Sequence, residues 1–304
     1  MSLQFIMGNS GSGKSYCLYD TVVREAIENP DKNYLVIVPE QFTMQTQKDL
    51  CLAHPKGGIM NIDVLSFGRL AYRVFEEVGQ DARVVLDDEG KNLVLRKIAG
   101  ECEKDLKVFK GNLKKQGYIS EVKSVLSEFA QYGVDFERLD DFMKEVPPES
   151  YLHYKLDDIR TIYEKFEEYL SEKYITKEEM LDVLSDAVPY SDILKGSVVA
   201  MDGFTGFTPV QNRLIGELFS VCEKVMITVT MDGRENPYVY EHPYQIFALG
   251  KQMVTSLMKI AGEKKTEIEE PICLFERPVY RFRDCSEMAF LETELFRYSG
   301  AKYN

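Results

Sequence analysis

Short unbroken apolar runs alternate with helically spaced ones at the start of the chain. Residues 3–7, 34–38 and 59–65 are rich in aliphatic and β-branched side chains and predict strands. After the first of them, Leu18, Val22 and Ala26, with Ile27 beside, recur at i, i+4 and i+8. That spacing predicts a helix with one buried face. The alternation as a whole predicts a parallel sheet covered by helices. Between residues 85 and 190 the period changes. Leu152, Leu156, Ile159, Tyr163, Phe166 and Leu170 form one helical stripe, and Val122, Val125, Leu126 and Phe129 another. Gly117, Gly133 and Pro147-Pro148 punctuate a block that reads as helices only, with the stripe aromatics as bundle core. From about residue 195 strands return at 198–201 and 225–230, separated by a helix over 211–219. Residues 279–283 make a weaker strand, and a last helix begins at 287–296. The predicted architecture is one discontinuous α/β domain, residues 1–84 and 191–304, interrupted by an inserted helical subdomain at 85–190. The chain stops eight residues after that last helix, so further domains are expected beyond residue 304.

Composition narrows the class without choosing a function. A chain of 304 residues with 44% apolar and 29% charged residues is an ordinary globular protein, long enough for two domains. It has no apolar run long enough to span a membrane and nothing like a signal peptide. Its six cysteines, at 17, 51, 102, 222, 273 and 285, include no C-x-x-C pair, and there are only three histidines. Reduced thiols and a cytoplasmic location are expected, with no disulfide framework or self-contained metal site. His54, His153 and His242 show no ligand spacing. The formal charge of −13 argues against a surface basic throughout, but leaves room for a basic groove.

The strongest chemical signal is Gly8-Asn9-Ser10-Gly11-Ser12-Gly13-Lys14-Ser15, a complete G-x-x-x-x-G-K-[ST] loop between a predicted strand and a predicted helix. Its glycines let successive backbone N–H groups turn toward phosphate oxygens at a helix N-terminus. Lys14 is expected to reach the β- and γ-phosphates, and the Ser15 hydroxyl to hold Mg²⁺. Asp202, directly after the apolar run 198–201, is the candidate for binding Mg²⁺ through water. It follows Lys14 by about 190 residues, a spacing natural for a domain with an insertion.

The run Asp202-Gly203-Phe204-Thr205-Gly206-Phe207-Thr208-Pro209-Val210-Gln211 resembles the D-G-F-x-x-F-T-P-x-Q signature of the helicase-nuclease B-subunit family, AddB/RexB. Residues 35–43, containing Pro39-Glu40-Gln41-Phe42-Thr43, and residues 64–71, containing Ser66-Phe67-Gly68-Arg69, are similar to two further motifs of that family. The resemblance implies a RecA-like P-loop sheet, as in domain 1A of superfamily 1 helicases, with an inserted 1B-like all-helical subdomain. It implies a heterodimer with the helicase-nuclease A subunit, which carries the motor, action on DNA ends and single-stranded DNA, and a role in double-strand-break resection. It also implies a nuclease and iron–sulfur cysteines located past residue 304, so none of the six cysteines here is assigned to a cluster. Gln41, Phe42, Ser66, Phe67, Arg69 and Thr208 become DNA-contact candidates, the phenylalanines by base stacking against a reading as local core packing, and Arg69 by a phosphate contact against one as an ordinary surface charge.

Departures from the superfamily pattern matter for mechanism. Active members carry D-E-x-Q-D at the second motif; here Gly203 follows Asp202, and Thr205 and Gly206 stand at the Gln and Asp positions. Glu235 replaces the phosphate-sensing Gln of the third motif, and only seven residues precede the loop where a Q motif would need about twenty. Arginine fingers are expected in a second motor domain outside this chain. Because positioning and charge stabilisation make up nearly all phosphoryl-transfer catalysis, the expectation is Mg-ATP binding with weak or absent hydrolysis. A free-standing P-loop kinase or transferase using Lys14, Ser15 and Asp202 is the competing reading, though no lid arginine cluster is recognisable. A scaffold with a structural nucleotide is the third.

Overall fold

The computed structural model describes residues 1–79, 84–113, 115–171, 173–295, 297 and 299–303. The chain divides into two compact units: Met1–Val78, Ser185–Phe207 and Asn212–Asn304 form the first, and Gly79–Leu184 with Thr208–Gln211 the second.

In chain order the elements are β1 (Ser2–Gly8), α1 (Lys14–Glu28), β2 (Tyr34–Ile37), α2 (Thr43–Ala53), β3 (Ile62–Leu65), α3 (Phe67–Val78), β4 (Val84–Leu86), α4 (Asp88–Glu101), α5 (Gln116–Tyr132), α6 (Phe136–Glu145), α7 (Tyr151–Leu170), β5 (Tyr174–Thr176), α8 (Glu179–Ala187), β6 (Val198–Met201), α9 (Pro209–Val221), β7 (Lys224–Thr230), α10 (Ala248–Lys264), β8 (Glu267–Ile268), β9 (Ile272–Leu274) and α11 (Ser286–Glu294). The first unit is built on a parallel sheet ordered β3-β2-β6-β7-β1-β8, with β9 also pairing β1. Its central strands are buried on both faces, which is why they read as continuous apolar runs. Ile6, Val36, Ala200 and Met226 point to one face, where Leu18, Val22 and Ala26 of α1 meet them. Their neighbours Phe5, Met7, Ile37, Val199 and Ile227 alternate to the other face and are equally buried. Because β7 pairs β1 from Ser2↔Lys224 to Gly8↔Thr230, the C-terminal ends of the two strands lie side by side.

The second unit packs α4, α5 and α7 around Leu95, Ile98, Val122, Leu126, Ile159, Ile162 and Phe166. The α7 stripe is buried at Ile159, Phe166 and Leu170, whereas Leu152 in its first turn is exposed. Contrary to the all-helical expectation, β4 and β5 form a parallel pair in register Val84↔Tyr174 to Leu86↔Thr176. With three residues each, they are too short to impose a period of two on the sequence. Asp158 of α7 organises the turn after α4. Its carboxylate, 1% exposed, accepts the backbone N–H groups of Lys107 at 2.8 Å, Val108 at 2.7 Å and Phe109 at 2.8 Å.

A second correction concerns residues 279–283. They are not a strand but the 3-10 turn Tyr280–Phe282. Pro278 lacks a backbone donor, and the Arg281 N–H bonds the Gly11 carbonyl at 3.1 Å instead of a neighbouring strand. Phe296, the end of the predicted last helix, lies outside the described residues. Among the described residues no helix is long and apolar enough to cross a membrane.

Candidate functional site

The loop joining β1 to α1 has the backbone its glycines permit. Gly11 and Gly13 adopt φ of +82° and +95°, a left-handed region costly for any residue with a Cβ. Gly8 is needed for a different reason. A Cβ there would lie 2.3 Å from Ser12 Oγ and 2.7 Å from the Leu274 carbonyl oxygen, so a strand-end backbone leaves no room for a side chain. Gly13 caps α1 with no side-chain hydrogen bond, and the helix has no acidic residue in its first turn. The positive end of α1 therefore faces the loop uncompensated.

Lys14 folds back over this loop, donating to the Gly8 carbonyl at 3.1 Å and the Asn9 carbonyl at 2.9 Å. Burial lowers its pKa to about 8; the Asp202 carboxylate opposes that shift, and the Arg281 guanidinium adds to it. Arg281, absent from the sequence-derived candidates, is thus a second cation at the loop. Its backbone bonds Gly11, and its Cβ is 2.7 Å from where a Gly11 Cβ would be. Nothing local to residues 279–283 marks it, because the placement depends on β9 pairing with β1 at Gly8↔Leu274.

Ser12 Oγ and Asn9 Oδ1 are buried without a hydrogen-bond partner, an arrangement that folded proteins generally avoid unless a ligand or water completes it. Ser15 and Ser10 are exposed. Asp202, 8% exposed at the end of β6, accepts the Tyr19 hydroxyl at 2.8 Å and the Thr228 hydroxyl at 2.6 Å. Tyr19 also lies 3.2 Å from the Thr46 hydroxyl. These partners come from α1, α2 and β7, and no local motif announces them. They fix the orientation of the Asp202 carboxylate, with burial and that carboxylate driving the Tyr19 pKa far up. Among the described residues no group of three or more His, Cys, Asp or Glu side chains is arranged to hold a metal.

A family model described as ADDB, N-terminal, matches residues 5–292. The chain belongs to the AddB N-terminal family. It is 44% identical over 98% of its length to the B subunit of the ATP-dependent helicase/deoxyribonuclease of Lachnoclostridium phytofermentans. It is also 34% identical over 98% to the protein of that name from Clostridium acetobutylicum, and 36% identical over its full length to the one from Thermoanaerobacter sp. strain X514. It covers 26%, 25% and 26% of those three proteins, so it spans about a quarter of the length of these curated relatives.

The AddB motif residues take distinct structural parts. Phe67 is 8% exposed and clusters with Phe204 and Phe207, the ring centroids 5.4 and 6.3 Å away. Ser66 is buried, and its hydroxyl accepts the Arg69 N–H at 3.4 Å at the start of α3. Thr208 and Gln211 form a capping box on α9: the Thr208 hydroxyl accepts the Gln211 N–H at 3.3 Å, and Gln211 Oε1 accepts the Thr208 N–H at 3.0 Å. Gln41 and Arg69 are exposed, and Phe42 is 49% exposed beside Gly203.

Gly203 itself has φ +79°, with Pro39 Cδ 3.5 Å and Phe42 Cδ2 3.9 Å from a would-be Cβ. A glutamate fits the space but not the backbone. Gly203→Glu and Gly203→Ala are both expected to destabilise the first unit by about 1–2 kcal/mol. Thermal unfolding checks this, and an unchanged or raised Tm for either variant contradicts it.

Glu235 is occupied on both oxygens, by Lys251 Nζ at 2.7 Å and Arg297 Nη1 at 2.7 Å. Those two cations hold its carboxyl below the usual carboxylate range.

Proposed function

We propose that this chain is the nucleotide-binding, helicase-like part of a helicase-nuclease B subunit, which works in the cytoplasm with its A subunit on DNA ends and guides a single strand during double-strand-break repair. In this reading it binds Mg-ATP and hydrolyses it weakly or not at all, with the nuclease and any iron–sulfur cluster in other parts of the protein. The observation that carries the nucleotide reading is the loop: uncapped helix, two left-handed glycines, Lys14 and Arg281 beside it, and buried Ser12 and Asn9 oxygens still unpartnered. Lys14 and the loop N–H groups would hold the phosphates, and Ser15 with Asp202 the metal. The bound metal would supply charge neutralisation of the phosphate oxygens.

The sheet order supports a RecA-like arrangement, because β7 is inserted between the loop strand β1 and the Asp202 strand β6. Poor hydrolysis follows from what flanks Asp202. Gly203 carries no base, and Glu235 is held by Lys251 and Arg297 instead of being free to meet a phosphate. The DNA-guiding part rests on family membership and on the exposed residues Gln41, Phe42 and Arg69.

Titration of the chain with a fluorescent ATP analogue and Mg²⁺, followed by a turnover assay, tests the reading. Saturable binding with turnover orders of magnitude below that of a working helicase is the expected result. Robust phosphoryl transfer to water or to a small molecule overturns the weak-hydrolysis part. Failure to bind overturns the nucleotide part.

A further inference from the structure

Arg281 and the loop glycines explain why phosphates would bind, but not why the Asn9 side chain is buried and bonded to a distant helix. Asn9 is 1% exposed, and its Nδ2 donates to Glu292 Oε1 at 2.8 Å, across 283 residues of sequence. Glu292 lies in the last turn of α11 and puts a full negative charge one hydrogen bond from a loop built for anions. A carboxylate there is tolerable only if neutralised. Arg277 provides this, with Nη1 3.4 Å from Glu292 Oε2 and Nη2 2.9 Å from Asp232 Oδ2.

Asp232 in turn gathers Arg234 at 2.7 Å and Arg297 at 2.9 Å on the same oxygen. Arg234 also donates to the Thr293 carbonyl at 2.8 Å, and Arg277 to the Thr293 hydroxyl at 2.5 Å. The segment just after β7 and the end of α11 are therefore tied together. The first of these touches the loop as well, through the Met231 N–H on the Gly8 carbonyl at 2.9 Å. Among the described residues, the direct side-chain hydrogen bond from the loop to α11 is that of Asn9 to Glu292.

We infer that Glu292 is a positioning residue that anchors Asn9, and so couples the conformation of the nucleotide loop to the 277–297 segment. The inference deepens the nucleotide reading and rests on it for its binding arm. If phosphate binding and the α11 anchor favour the same loop geometry, linkage makes the effect reciprocal: an intact anchor favours nucleotide, and nucleotide favours an ordered α11.

Three proteins separate this from a merely structural role: the unsubstituted chain, Glu292→Ala, and Glu292→Gln. The glutamine keeps an acceptor for Asn9 while removing the charge. In the nucleotide-free proteins, amide exchange over residues 8–13 is expected to accelerate in the alanine variant and to stay unchanged in the glutamine variant. In the Mg-ATP titration the alanine variant binds about tenfold more weakly, because a loop without its anchor spends only a fraction of its time in the binding geometry, and the glutamine variant, which keeps the anchor, binds like the parent. Nucleotide also slows exchange over residues 286–295 in the parent but not in the alanine variant.

Unchanged loop exchange in Glu292→Ala overturns the inference. So does equal failure of both variants, which would make the charge and not the anchor decisive. If the parent binds no nucleotide the functional reading fails, while the exchange comparison in the free proteins still decides the anchor.

Discussion

Replacing Lys14 with alanine is expected to weaken Mg-ATP binding by about a hundredfold or more, with little change in the stability of the free protein. The two halves of that expectation have different causes. Bound to phosphate, the ammonium makes charge-assisted bonds worth about 1.5–3 kcal/mol each, and two of them exceed a hundredfold in affinity. In the free protein the same ammonium is desolvated by burial and its hydrogen bonds go to two carbonyls, so its removal costs the fold little. The lowered pKa adds a pH signature. Only the protonated form binds an anion, and the free protein loses that proton as pH rises through about 8. Affinity is therefore expected to be flat below pH 7 and to fall by up to tenfold per unit above pH 8. Lys14→Arg, whose cation stays protonated, flattens the profile. Fluorescence titrations between pH 6.5 and 9.5 read both effects. Wild-type affinity independent of pH, or alanine binding within threefold of the parent, contradicts the placement of Lys14 at the phosphates.

The second large effect belongs to the helical unit and has no bearing on nucleotide. Asp158→Ala strands three backbone N–H groups that a single buried carboxylate now satisfies. Each buried donor left unpaired costs about 1–3 kcal/mol, part of which water entering the vacated space recovers, so a loss of about 3–5 kcal/mol is expected. Asp158→Asn keeps an acceptor oxygen and loses roughly half as much. Denaturant unfolding resolves the difference, provided amide exchange at residues 107–109 assigns the weakened transition to this unit. A change below about 1 kcal/mol in the alanine variant shows that the turn finds other partners.

What the sequence disclosed depended on how far each feature reaches along the chain. β1, β6 and β7 were legible because strands covered on both faces must be apolar throughout, and their short runs bear that mark. β8 and β9 were not, since two- and three-residue edge strands with exposed Glu267, Ile268 and Cys273 carry no pattern. The run at 279–283 looked like a strand because its valine and aromatics suit one, yet its backbone serves the Gly11 carbonyl. The loop motif could be read directly, being eight contiguous residues with a local purpose. The surroundings could not: Tyr19 and Thr228 on Asp202, and Arg281 and Glu292 on the loop, act across tens to hundreds of residues, and their side-chain types are common everywhere. The T-P-x-Q end of the AddB signature shows the reverse limit. A motif recognisable as a family mark proves to be, at Thr208 and Gln211, a helix cap.

The strand order has a consequence for the order of events during synthesis. β1 is made long before its neighbours β7, β8 and β9, which begin only at Lys224, Glu267 and Ile272. Both edges of the strand that carries the loop must wait for more than two hundred residues, and such distant closures are slow. The loop motif is thus made long before the strands that wall it in. A nascent chain halted before residue 224 would have an apolar β1 with neither partner, an exposed edge for a chaperone to cover.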